Sequence, residues 1–518
     1  MFIEAIRRAA QIRGHQPATI CAGRTRSWSE SMDRTARLAQ ALRMLGVQPN
    51  DRIGILGVNS DRYLEAMHAT WWAGAVTVPM NSRWALAEHL YSVDDAELKI
   101  IFVDNAYLHI ARNIAASRPS VRQIIHMGDE TAEGGLLSFE GLIQRHAPTA
   151  PVCRPAQELA GVFYTGGTTG SPKGVMHSAL SLWSGSNNIA LDARVPQTPR
   201  YLHVAPMFHL GDLSQGFYVT ALAGTHVVVP GFSADAVIAA SSAHRVQVTL
   251  LVPTMIGMLL DSPSFDSRAF ETLELLMYGG SPIAEQLLIR ARSAFAATRL
   301  VQGFGQTETN ACGALLHDEA RATIANEADR LRTAGRAAYG VQLAIIDSDG
   351  RELGAREAGE ICIKSASAML GYWKKPEETA AALAGGWVHT GDAGYLDEQG
   401  FLYVCDRLKD MIISGGENVY SAEVESVLLS HPAVAQVAVI GVPDEVWGER
   451  VHAVIVPHKK QSLTLAEVQS HCKQSIAGYK VPRSMELRTE PMPLSGVGKI
   501  LKRELRAPHW EGKTRSVN

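Results

Sequence analysis

The chain has 518 residues, of which 46% are hydrophobic and 19% are charged, a balance typical of a globular protein with a large core. A chain of this length typically forms about three domain-sized units. The net charge of −3 creates no global attraction for nucleic acid or for an anionic membrane, so we expect neither as a partner.

The six cysteines are scattered and include no C-x-x-C pair, which favours reduced thiols over a disulfide framework or a zinc site. Residues 1–18 carry arginines among apolar residues at helical spacing, a pattern of neither a signal peptide nor a membrane span. We therefore expect a cytoplasmic protein without integral membrane contact. Residues 499–515 are locally basic, and we expect them to form a solvated helix face.

From residue 51 onward, short apolar runs alternate with segments of helical period. A helix is expected over residues 61–72. The expected strands cover residues 52–58, 76–79, 99–103, 225–230, 248–252, 273–278 and 299–302. Because such runs are apolar on both faces and separated by helices, they predict parallel strands in layered α/β sheets.

The pattern changes near residue 400. Strands are expected over residues 401–405, 433–442 and 451–456, and helices over residues 421–430 and 465–476. This last part of the chain suits a compact α+β domain. The predicted fold class is thus α/β, with a large N-terminal domain over residues 1–406 and a small α+β domain over residues 407–518.

Residues 164–174 read Tyr-Thr-Gly-Gly-Thr-Thr-Gly-Ser-Pro-Lys-Gly and follow an apolar run that predicts a buried strand. Glycines and small hydroxyl residues let several backbone N–H groups approach an anion, and Lys173 adds a point charge. The pattern is not a Walker A loop, because Pro172 precedes Lys173 and Gly174 follows it. The sequence therefore predicts a phosphate-binding loop of another kind.

Five further motifs follow in chain order. They are Tyr278-Gly279-Gly280-Ser281-Pro282, Gly303-Phe304-Gly305-Gln306-Thr307-Glu308, His389-Thr390-Gly391-Asp392, the segment 406–418, and Gly498-Lys499. Together with the glycine-rich loop they resemble the AMP-forming acyl-CoA synthetases of the adenylate-forming superfamily, over essentially the whole chain. The resemblance implies an acid–thiol ligase that converts a carboxylic acid and ATP into acyl-AMP and pyrophosphate, then transfers the acyl group to coenzyme A and releases AMP.

The resemblance also implies the residues that handle the nucleotide. Those predicted to bind ATP or AMP are Thr165, Gly166, Gly167, Thr168, Thr169, Gly170, Lys173, Gly280, Ser281, Gly303, Phe304, Gly305, Gln306, Thr307, Asp392, Arg407 and Lys499. Glu308 and Thr168 would hold Mg²⁺, a hard cation that prefers oxygen ligands. The predicted catalytic residues are Lys499, Thr168, Glu308 and His209.

Three positions depart from the family's pattern. Gly166 stands where many relatives carry Ser, Phe304 where Tyr is more usual, and Leu494 where a basic residue is usual. Without the neighbouring motifs, Asp392 would equally be a turn cap and His209 an ordinary core residue.

The acid and the thiol have their own predicted residues. The acyl pocket is expected to involve His209, Leu210, Gly211, Tyr278, Gly279, Gly305, Ala311, Cys312 and Gly313. Coenzyme A is expected at Ser414, Gly415, Gly416, Trp447, Tyr479 and Arg483, although Trp447 is equally well interpreted as a packing residue. Lys409 matches the family's hinge, about which the small domain swings between the two half-reactions.

The four segments 208–211, 277–280, 303–305 and 310–314 contain neither Lys nor Arg, which favours a mostly apolar acid, with a medium- or long-chain fatty acid preferred. An aryl or phenylpropenoid CoA ligase shares every motif. A stand-alone adenylation enzyme that loads a carrier protein is a further alternative, and a nucleotide sensor without catalysis a weaker one. Oligomeric state, including a homodimer, is left open.

Overall fold

The computed structural model describes residues 1–129, 135–165, 172–321, 324, 330, 332–459, 461–494 and 500–511. The chain forms two compact units, of which the first comprises Met1–Leu343 and Ile363–Val388 and the second Ala344–Cys362 and His389–Asn518. The boundary predicted between residues 406 and 407 separates a large domain from a small domain that is expected to move about a hinge, and it remains a prediction. In the part of the chain that is described, no helix is both long and apolar enough to cross a bilayer.

The helices are given first, in chain order. They are α1 (Phe2–Arg13), α2 (Trp28–Met44), α3 (Asp61–Trp72), α4 (Leu86–Asp95), α5 (Leu108–Ser117), α6 (Phe139–Arg145), α7 (Ala179–Asp192), α8 (Leu210–Ala221), α9 (Ala234–His244), α10 (Pro253–Leu260), α11 (Glu285–Ala294), α12 (Asp318–Arg321), α13 (Pro376–Ala382), α14 (Ser421–Leu429), α15 (Leu465–Lys473) and α16 (Lys502–Arg506). Single 3₁₀ turns lie at Asn105–Tyr107, Ser267–Phe270, Thr307–Thr309, Ala384–Gly386, Gly478–Lys480 and Ala507–His509.

The strands follow in the same order. They are β1 (Pro17–Cys21), β2 (Arg24–Ser27), β3 (Arg52–Leu56), β4 (Val76–Pro79), β5 (Ile100–Val103), β6 (Gln123–His126), β7 (Leu137–Ser138), β8 (Leu159–Thr165), β9 (Lys173–Ser178), β10 (Arg200–His203), β11 (Thr225–Val228), β12 (Val248–Leu251), β13 (Leu275–Gly279), β14 (Arg299–Phe304), β15 (Ala314–His317), β16 (Thr333–Ala337), β17 (Val341–Ile346), β18 (Gly359–Ser365), β19 (Gly371–Tyr372), β20 (Val388–Leu396), β21 (Leu402–Arg407), β22 (Ile412–Ser414), β23 (Glu417–Val419), β24 (Val434–Asp444), β25 (Gly448–Pro457) and β26 (Ser484–Leu487).

The first unit contains two sheets. In one, the strands run in the order β16-β15-β14-β13-β12-β10-β11-β1-β2, and the pairs from β14 through β13, β12, β10 and β11 to β1 are parallel. Alternate residues of β13 enter two different cores, because side chains along a strand point to opposite faces: Tyr278 packs with Leu276, and Met277 packs with Cys312. Both faces are thus buried, as the apolar runs predicted.

The other sheet of the first unit has the order β19-β9-β8-β4-β3-β5-β6-β7. Its central pairs are parallel, which confirms the expectation for residues 52–58, 76–79 and 99–103. Helix α3 is confirmed at Asp61–Trp72, with every residue buried and Ser60 accepting the backbone N–H of Tyr63 as its cap. The glycine-rich segment joins β8 to an antiparallel neighbour, β9, so the two strands form a hairpin.

The second unit has a sheet of order β23-β22-β25-β24, with β26 paired in parallel to β25. Helices α14 and α15 cover one face of this sheet, where their apolar side chains, Val424, Leu428, Val468 and Cys472, enter one core. The unit also includes parts of β17, β18 and β20 and all of β21, strands that neighbour one another in the order β17-β18-β20-β21. The α+β character predicted for the end of the chain is confirmed.

One expectation for the C-terminal segment is wrong. Lys502 of α16 was expected on a solvated helix face, yet its side chain is only 14% exposed and its ammonium lies 2.7 Å from the Glu425 carboxylate. Arg506 pairs with Asp410 at 3.0 Å. Helical spacing in the sequence could not reveal this, because the acidic partners lie far away in the chain.

Candidate functional site

Two glycine-rich turns meet at the carboxyl ends of β13 and β14 in the first unit. The strands pair in parallel, with Gly279 opposite Gly303. A Cβ atom on Gly279 would lie 2.3 Å from the carbonyl oxygen of Gly303, so only glycine permits this approach. Gly280 and Ser281 continue from β13, and Phe304 is the half-buried last residue of β14. The predicted adenine-side motifs are therefore neighbours at one sheet edge, which is where open α/β sheets bind ligands.

The β8–β9 hairpin carries the predicted phosphate loop. Thr165 ends β8 and lies opposite Lys173, the first residue of β9. Gly166, Gly167, Thr168, Thr169 and Gly170, which are predicted to bind ATP, fall outside the described residues. The described base of the hairpin thus places a hydroxyl residue and a lysine side by side at the two strand ends.

Glu308, Lys173 and Tyr372 form one cluster in the first unit. The Tyr372 hydroxyl donates a hydrogen bond of 2.8 Å to Oε1 of Glu308. The Lys173 ammonium lies 5.0 Å from the centroid of the Tyr372 ring, within cation–π range. One aromatic side chain therefore connects the predicted phosphate-binding lysine with the predicted metal-binding carboxylate.

Tyr372 was not predicted from the sequence. It reaches the cluster because β19 pairs with β9, placing Tyr372 opposite Val175. Burial, and then the charge of Glu308, raise the pKa of Tyr372 well above its usual range, so the phenol stays protonated and acts as a donor. A two-residue strand gives too short a pattern for sequence reasoning to find.

His177 is a second functional neighbour that sequence reasoning missed. Its Nε2 lies 2.7 Å from the carbonyl oxygen of Thr307, and its Nδ1 lies 3.0 Å from Oγ of Ser181. Burial lowers its pKa to about 4, so the imidazole is neutral at pH 7. Its position fixes the turn that carries Glu308 to strand β9. The inward-facing position of His177 in a six-residue strand was the available signal.

The turn after β14 is closed by its own backbone and side chains. Gln306 accepts the backbone N–H of Ala311 at 2.9 Å, and Gly305 lies against the backbone of Ala311. Asn310 is fully buried and donates from Nδ2 to the carbonyl oxygen of Leu182 at 2.8 Å. Glu308 thus projects from a turn that is pinned to helix α7.

The residues predicted to line the acyl pocket divide between the two faces of the sheet. Cys312 is buried on the Met277 face, where burial raises the pKa of its thiol to about 12. The Tyr278 side chain lies on the opposite face, and its hydroxyl accepts a hydrogen bond of 2.8 Å from Arg321. A pocket on the Met277 face can therefore include Cys312 but only the backbone of Tyr278. The expectation that both residues belong to the acyl pocket stays a prediction.

His209 immediately precedes α8, and its ring lies 4.1 Å from that of Phe208. Leu210 and Gly211 are the first two residues of the helix, and Leu210 is buried in a core. Gly313 follows Cys312, and its carbonyl oxygen accepts the N–H of Ala338 at 3.0 Å. Leu210 therefore contributes to packing, and the acyl-pocket role of these residues stays a prediction.

A series of buried polar side chains, linked by hydrogen bonds, joins α8 to the strands β10 and β11. Asp212 accepts hydrogen bonds from Tyr201, at 3.0 Å, and contacts Nδ1 of His203 at 2.6 Å. Nε2 of His203 lies 2.9 Å from Nδ1 of His226, which continues through Nε2 to Thr220 at 3.1 Å. Because these side chains satisfy one another's hydrogen-bonding groups inside the core, the series fixes the position of α8, the helix that begins after His209.

In the second unit, Asp392 and Arg407 lie opposite each other on β20 and β21. Nε of Arg407 is 2.7 Å from Oδ1 of Asp392, whose side chain is 8% exposed against 38% for Arg407. The carboxylate has a second oxygen, and an ionised carboxylate can accept from two hydroxyls. The pair predicted to bind ribose is therefore formed, and its ribose role stays a prediction.

Lys409 lies two residues beyond Arg407. Burial lowers its pKa to about 8. Its carbonyl oxygen accepts a hydrogen bond of 3.1 Å from Arg506, which also contacts Asp410. The segment predicted to be the hinge is thus held by α16, the last helix among the described residues. Lys499 itself falls outside the described residues.

The residues predicted for coenzyme A all lie in the second unit, where Trp447 contacts both Gly415 and Arg483. Gly415 has a φ of 65°, and a Cβ there would lie 2.5 Å from the Trp447 ring. The guanidinium of Arg483 lies 3.9 Å from the centroid of that ring. Trp447 and Tyr479 are partly exposed, and Gly416, which follows Gly415 in the chain, is exposed. The Ser414 side chain is buried, so any contact it makes with a ligand is through its backbone.

Two family models cover most of the chain. Residues 6–373 match the AMP-binding enzyme model, and residues 423–499 match the C-terminal domain model of AMP-binding enzymes. The chain belongs to the AMP-binding enzyme family. This explains why the glycine-rich hairpin, Glu308 and the Asp392–Arg407 pair occur together in one protein.

Relatives within the AMP-binding family are similar along nearly their whole length. The chain is 34% identical to a fatty acid–[acyl-carrier-protein] ligase, ScoC, of Streptomyces coeruleorubidus, covering 98% of this chain and 96% of that one. It is 35% identical to a feruloyl-CoA synthase of an Amycolatopsis species, covering 96% and 97%. A solved structure of o-succinylbenzoate CoA synthetase from Bacillus subtilis, in complex with the acyl-adenylate intermediate OSB-AMP, superposes with a TM-score of 0.84 at 29% identity over 97% of both chains.

The protein is thus an AMP-forming acid–thiol ligase that acts through an acyl-AMP intermediate and uses ATP, Mg²⁺ and coenzyme A. The described residues fit Mg²⁺, because Glu308 presents a carboxylate, the oxygen ligand this ion prefers, beside a lysine suited to phosphate. When bound, the ion would neutralise charge on the phosphates of ATP.

Proposed function

We propose that this enzyme activates a mostly apolar monocarboxylic acid, with a medium- or long-chain fatty acid preferred, and transfers it to coenzyme A. The observation that carries the proposal is the composition of the segments beside the nucleotide motifs. Residues 208–211, 277–280, 303–305 and 310–314 contain no Lys or Arg.

Among the polar side chains of these segments, Asn310 donates its amide Nδ2 to the backbone of α7. A second carboxylate on the acid would be buried here without a cation, at a cost of several kcal/mol. The small side chains of Ala311 and Ala314 would leave depth for a chain, whereas the space beside Gly313 is taken by the carbonyl oxygen of Phe304, 2.8 Å from where a Cβ would lie. We therefore expect dicarboxylates and amino acids to be poor substrates.

In the first half-reaction, the acid attacks the α-phosphorus of ATP. Lys173 and the glycine-rich loop, with Thr168, would hold the phosphates, and Glu308 would hold the metal in the orientation that Tyr372 fixes. Asp392 and Arg407 would hold the ribose, and Lys499 would bridge the acid and the nucleotide. These donors stabilise charge that develops in the transition state.

In the second half-reaction, the thiol of coenzyme A displaces AMP. We propose that the small domain turns about Lys409 between the steps and presents the face of Gly415, Trp447 and Arg483. The slender pantetheine arm needs a close approach to backbone, which glycines permit. The Trp447 ring stacked on Arg483 offers a flat apolar surface and a positive charge for the nucleotide end of coenzyme A.

The experiment is a panel of acids with ATP and coenzyme A, scored by AMP formation. It compares butanoate, octanoate, dodecanoate, ferulate, benzoate and a dicarboxylate. Each methylene that enters the pocket contributes about 0.8 kcal/mol, so kcat/KM should rise with chain length until the pocket is full. A preference for ferulate or benzoate over octanoate to dodecanoate would contradict the fatty-acid proposal and support the aryl alternative.

The acceptor is tested in the same assay. Coenzyme A is replaced by a holo acyl carrier protein, because one relative is a ligase for that acceptor. We expect faster AMP formation with coenzyme A. Efficient turnover with the carrier protein and slow turnover with coenzyme A would favour the carrier-loading alternative.

A further inference from the structure

Three side chains that can bind metals converge in the second unit, and none of them is among the residues assigned above. They are His452 on β25, Glu486 on β26 and His509 in the single turn near the C-terminus. Their potential ligand atoms all lie within 4.8 Å of one another. Because β25 and β26 pair in parallel with His452 opposite Ser484, Glu486 lies two residues along on the same face as Ser484.

His452 has an unusual environment. Its side chain is among the buried polar groups, with the residue 6% exposed. Its Nδ1 lies 2.8 Å from Oγ of Ser484, while its Nε2 is buried with no hydrogen-bond partner among the described residues. A buried polar atom without a partner is costly and rare in native proteins. If Nδ1 carries the proton and donates to Ser484, Nε2 presents a lone pair, the arrangement that orients metal-binding histidines.

His509 is held close to this lone pair by the elements around it. The centroids of the two imidazole rings are 5.0 Å apart, with an angle of 54° between their planes. The next residue, Trp510, donates from Nε1 to the carbonyl oxygen of Gly441 at 3.0 Å. Arg506 is fixed by Asp410. The turn that carries His509 is therefore anchored on both sides.

We propose that His452, Glu486 and His509 bind a divalent transition metal of the zinc type. Two imidazoles and one carboxylate form a donor set suited to Zn²⁺ with a fourth position open, whereas Mg²⁺ prefers oxygen ligands. The site is thus chemically distinct from the magnesium position at Glu308. The ion would tie the C-terminal turn to β25 and β26, and its role would be structural.

Arg488 provides a directional test of the geometry. Its guanidinium lies 3.9 Å from the Glu486 carboxylate and so competes with an ion for the same oxygen atoms. Replacement by a neutral side chain of similar length, Arg488→Gln, removes this competitor. Metal affinity should rise severalfold in this variant, which a merely adventitious histidine contact would not show.

The experiment measures Zn²⁺ bound to the full-length protein in buffer without ATP, which itself chelates zinc. Competition with a chromophoric chelator gives stoichiometry and affinity, and thermal unfolding with and without Zn²⁺ gives an independent readout. The variants are His509→Ala and Glu486→Gln, with His458→Ala as the control because His458 is exposed in the same unit. Circular dichroism establishes that each variant is folded.

We expect one equivalent of zinc and a rise in Tm for the wild type and for His458→Ala. His509→Ala and Glu486→Gln should each weaken binding by roughly tenfold or more and lose the Tm rise. Binding that persists unchanged in His509→Ala, or the lack of any zinc retained against the chelator, would overturn the proposal. None of these outcomes depends on which acid the enzyme activates.

Discussion

The hydroxyl of Tyr372 donates a 2.8 Å hydrogen bond to the carboxylate of Glu308, a residue 64 positions earlier in the chain. The same ring lies beneath the Lys173 ammonium. A residue outside the recognisable motifs thus sets the distance between two residues inside them. Its removal tests whether that spacing matters for the metal.

In Tyr372→Phe, the ring remains and the hydrogen bond is lost. Hydrogen bonds to charged groups contribute about 1.5–3 kcal/mol, so the Mg²⁺ concentration for half-maximal adenylation should rise roughly tenfold. The measurement is acid-dependent pyrophosphate release against MgCl₂ concentration. Tyr339→Phe, at an exposed tyrosine, is the control. An unchanged magnesium dependence would mean that Tyr372 is a packing residue.

Lys499→Ala should separate the two half-reactions. Because the lysine is assigned to charge stabilisation in adenylation, pyrophosphate release should fall by about a hundredfold or more. Thioester formation from supplied acyl-AMP and coenzyme A should stay near the wild-type rate. Lys473→Ala, at an exposed helix position, is the control. Equal losses of rate in both half-reactions would refute the assignment of Lys499 to adenylation.

Lys409→Pro tests the hinge. Proline fixes the backbone φ near −65°, so the variant should hold one arrangement of the small domain. One half-reaction should then fall far more than the other. Lys409→Ala, which keeps the backbone freedom, should affect the two halves similarly. Rates near wild type for both halves of Lys409→Pro would place the pivot elsewhere.

The same lysine has a pH signature. Burial lowers its pKa to about 8 and so favours its neutral form, whereas an ordinary lysine titrates near 10.4. At pH 8 about half of the Lys409 side chains should be neutral and reactive toward an amine-acylating reagent. Labelling at limiting reagent between pH 7 and 9, read by peptide mass spectrometry, should rise with a midpoint near pH 8 at Lys409. A labelling profile of Lys409 with no midpoint between pH 7 and 9 would contradict the lowered pKa.

Trp447→Ala tests the face assigned to coenzyme A. The stack of Trp447 on Arg483 is lost, so KM for coenzyme A should rise about tenfold while adenylation without the thiol is unchanged. Trp447→Phe, which keeps a flat ring, should recover most of the affinity. If KM for coenzyme A does not move in Trp447→Ala, the alternative interpretation as a packing residue is correct.

Much of the fold followed from local patterns. The buried runs at 248–252 and 273–278 became parallel strands because they are apolar on both faces, and α3 kept its predicted bounds at Asp61–Trp72. The motifs supplied the pair Asp392 and Arg407, which the register of β20 and β21 brings opposite each other. In these cases the information lies within a short stretch of sequence.

Other parts depended on distant contacts. Tyr372 and His177 join the site through strand pairing and a buried imidazole. The sequence signals only the inward-facing position of His177, not the partners of either residue. The division of Tyr278 and Cys312 between two faces follows from strand alternation combined with the position of the next strand. Such relationships depend on where separate elements meet, which composition and periodicity do not encode.

The ion pair of Glu425 and Lys502 has a consequence for how the sequence can vary. The side chains of Glu425 and Lys502 are 18% and 14% exposed. Replacing either one leaves the other as an unpaired, mostly desolvated charge, at a cost on the order of 3–5 kcal/mol when burial is complete. Replacing both by apolar residues of similar volume is often close to neutral. These positions, 77 residues apart by their numbers, are therefore expected to be exchanged jointly or kept jointly over evolution.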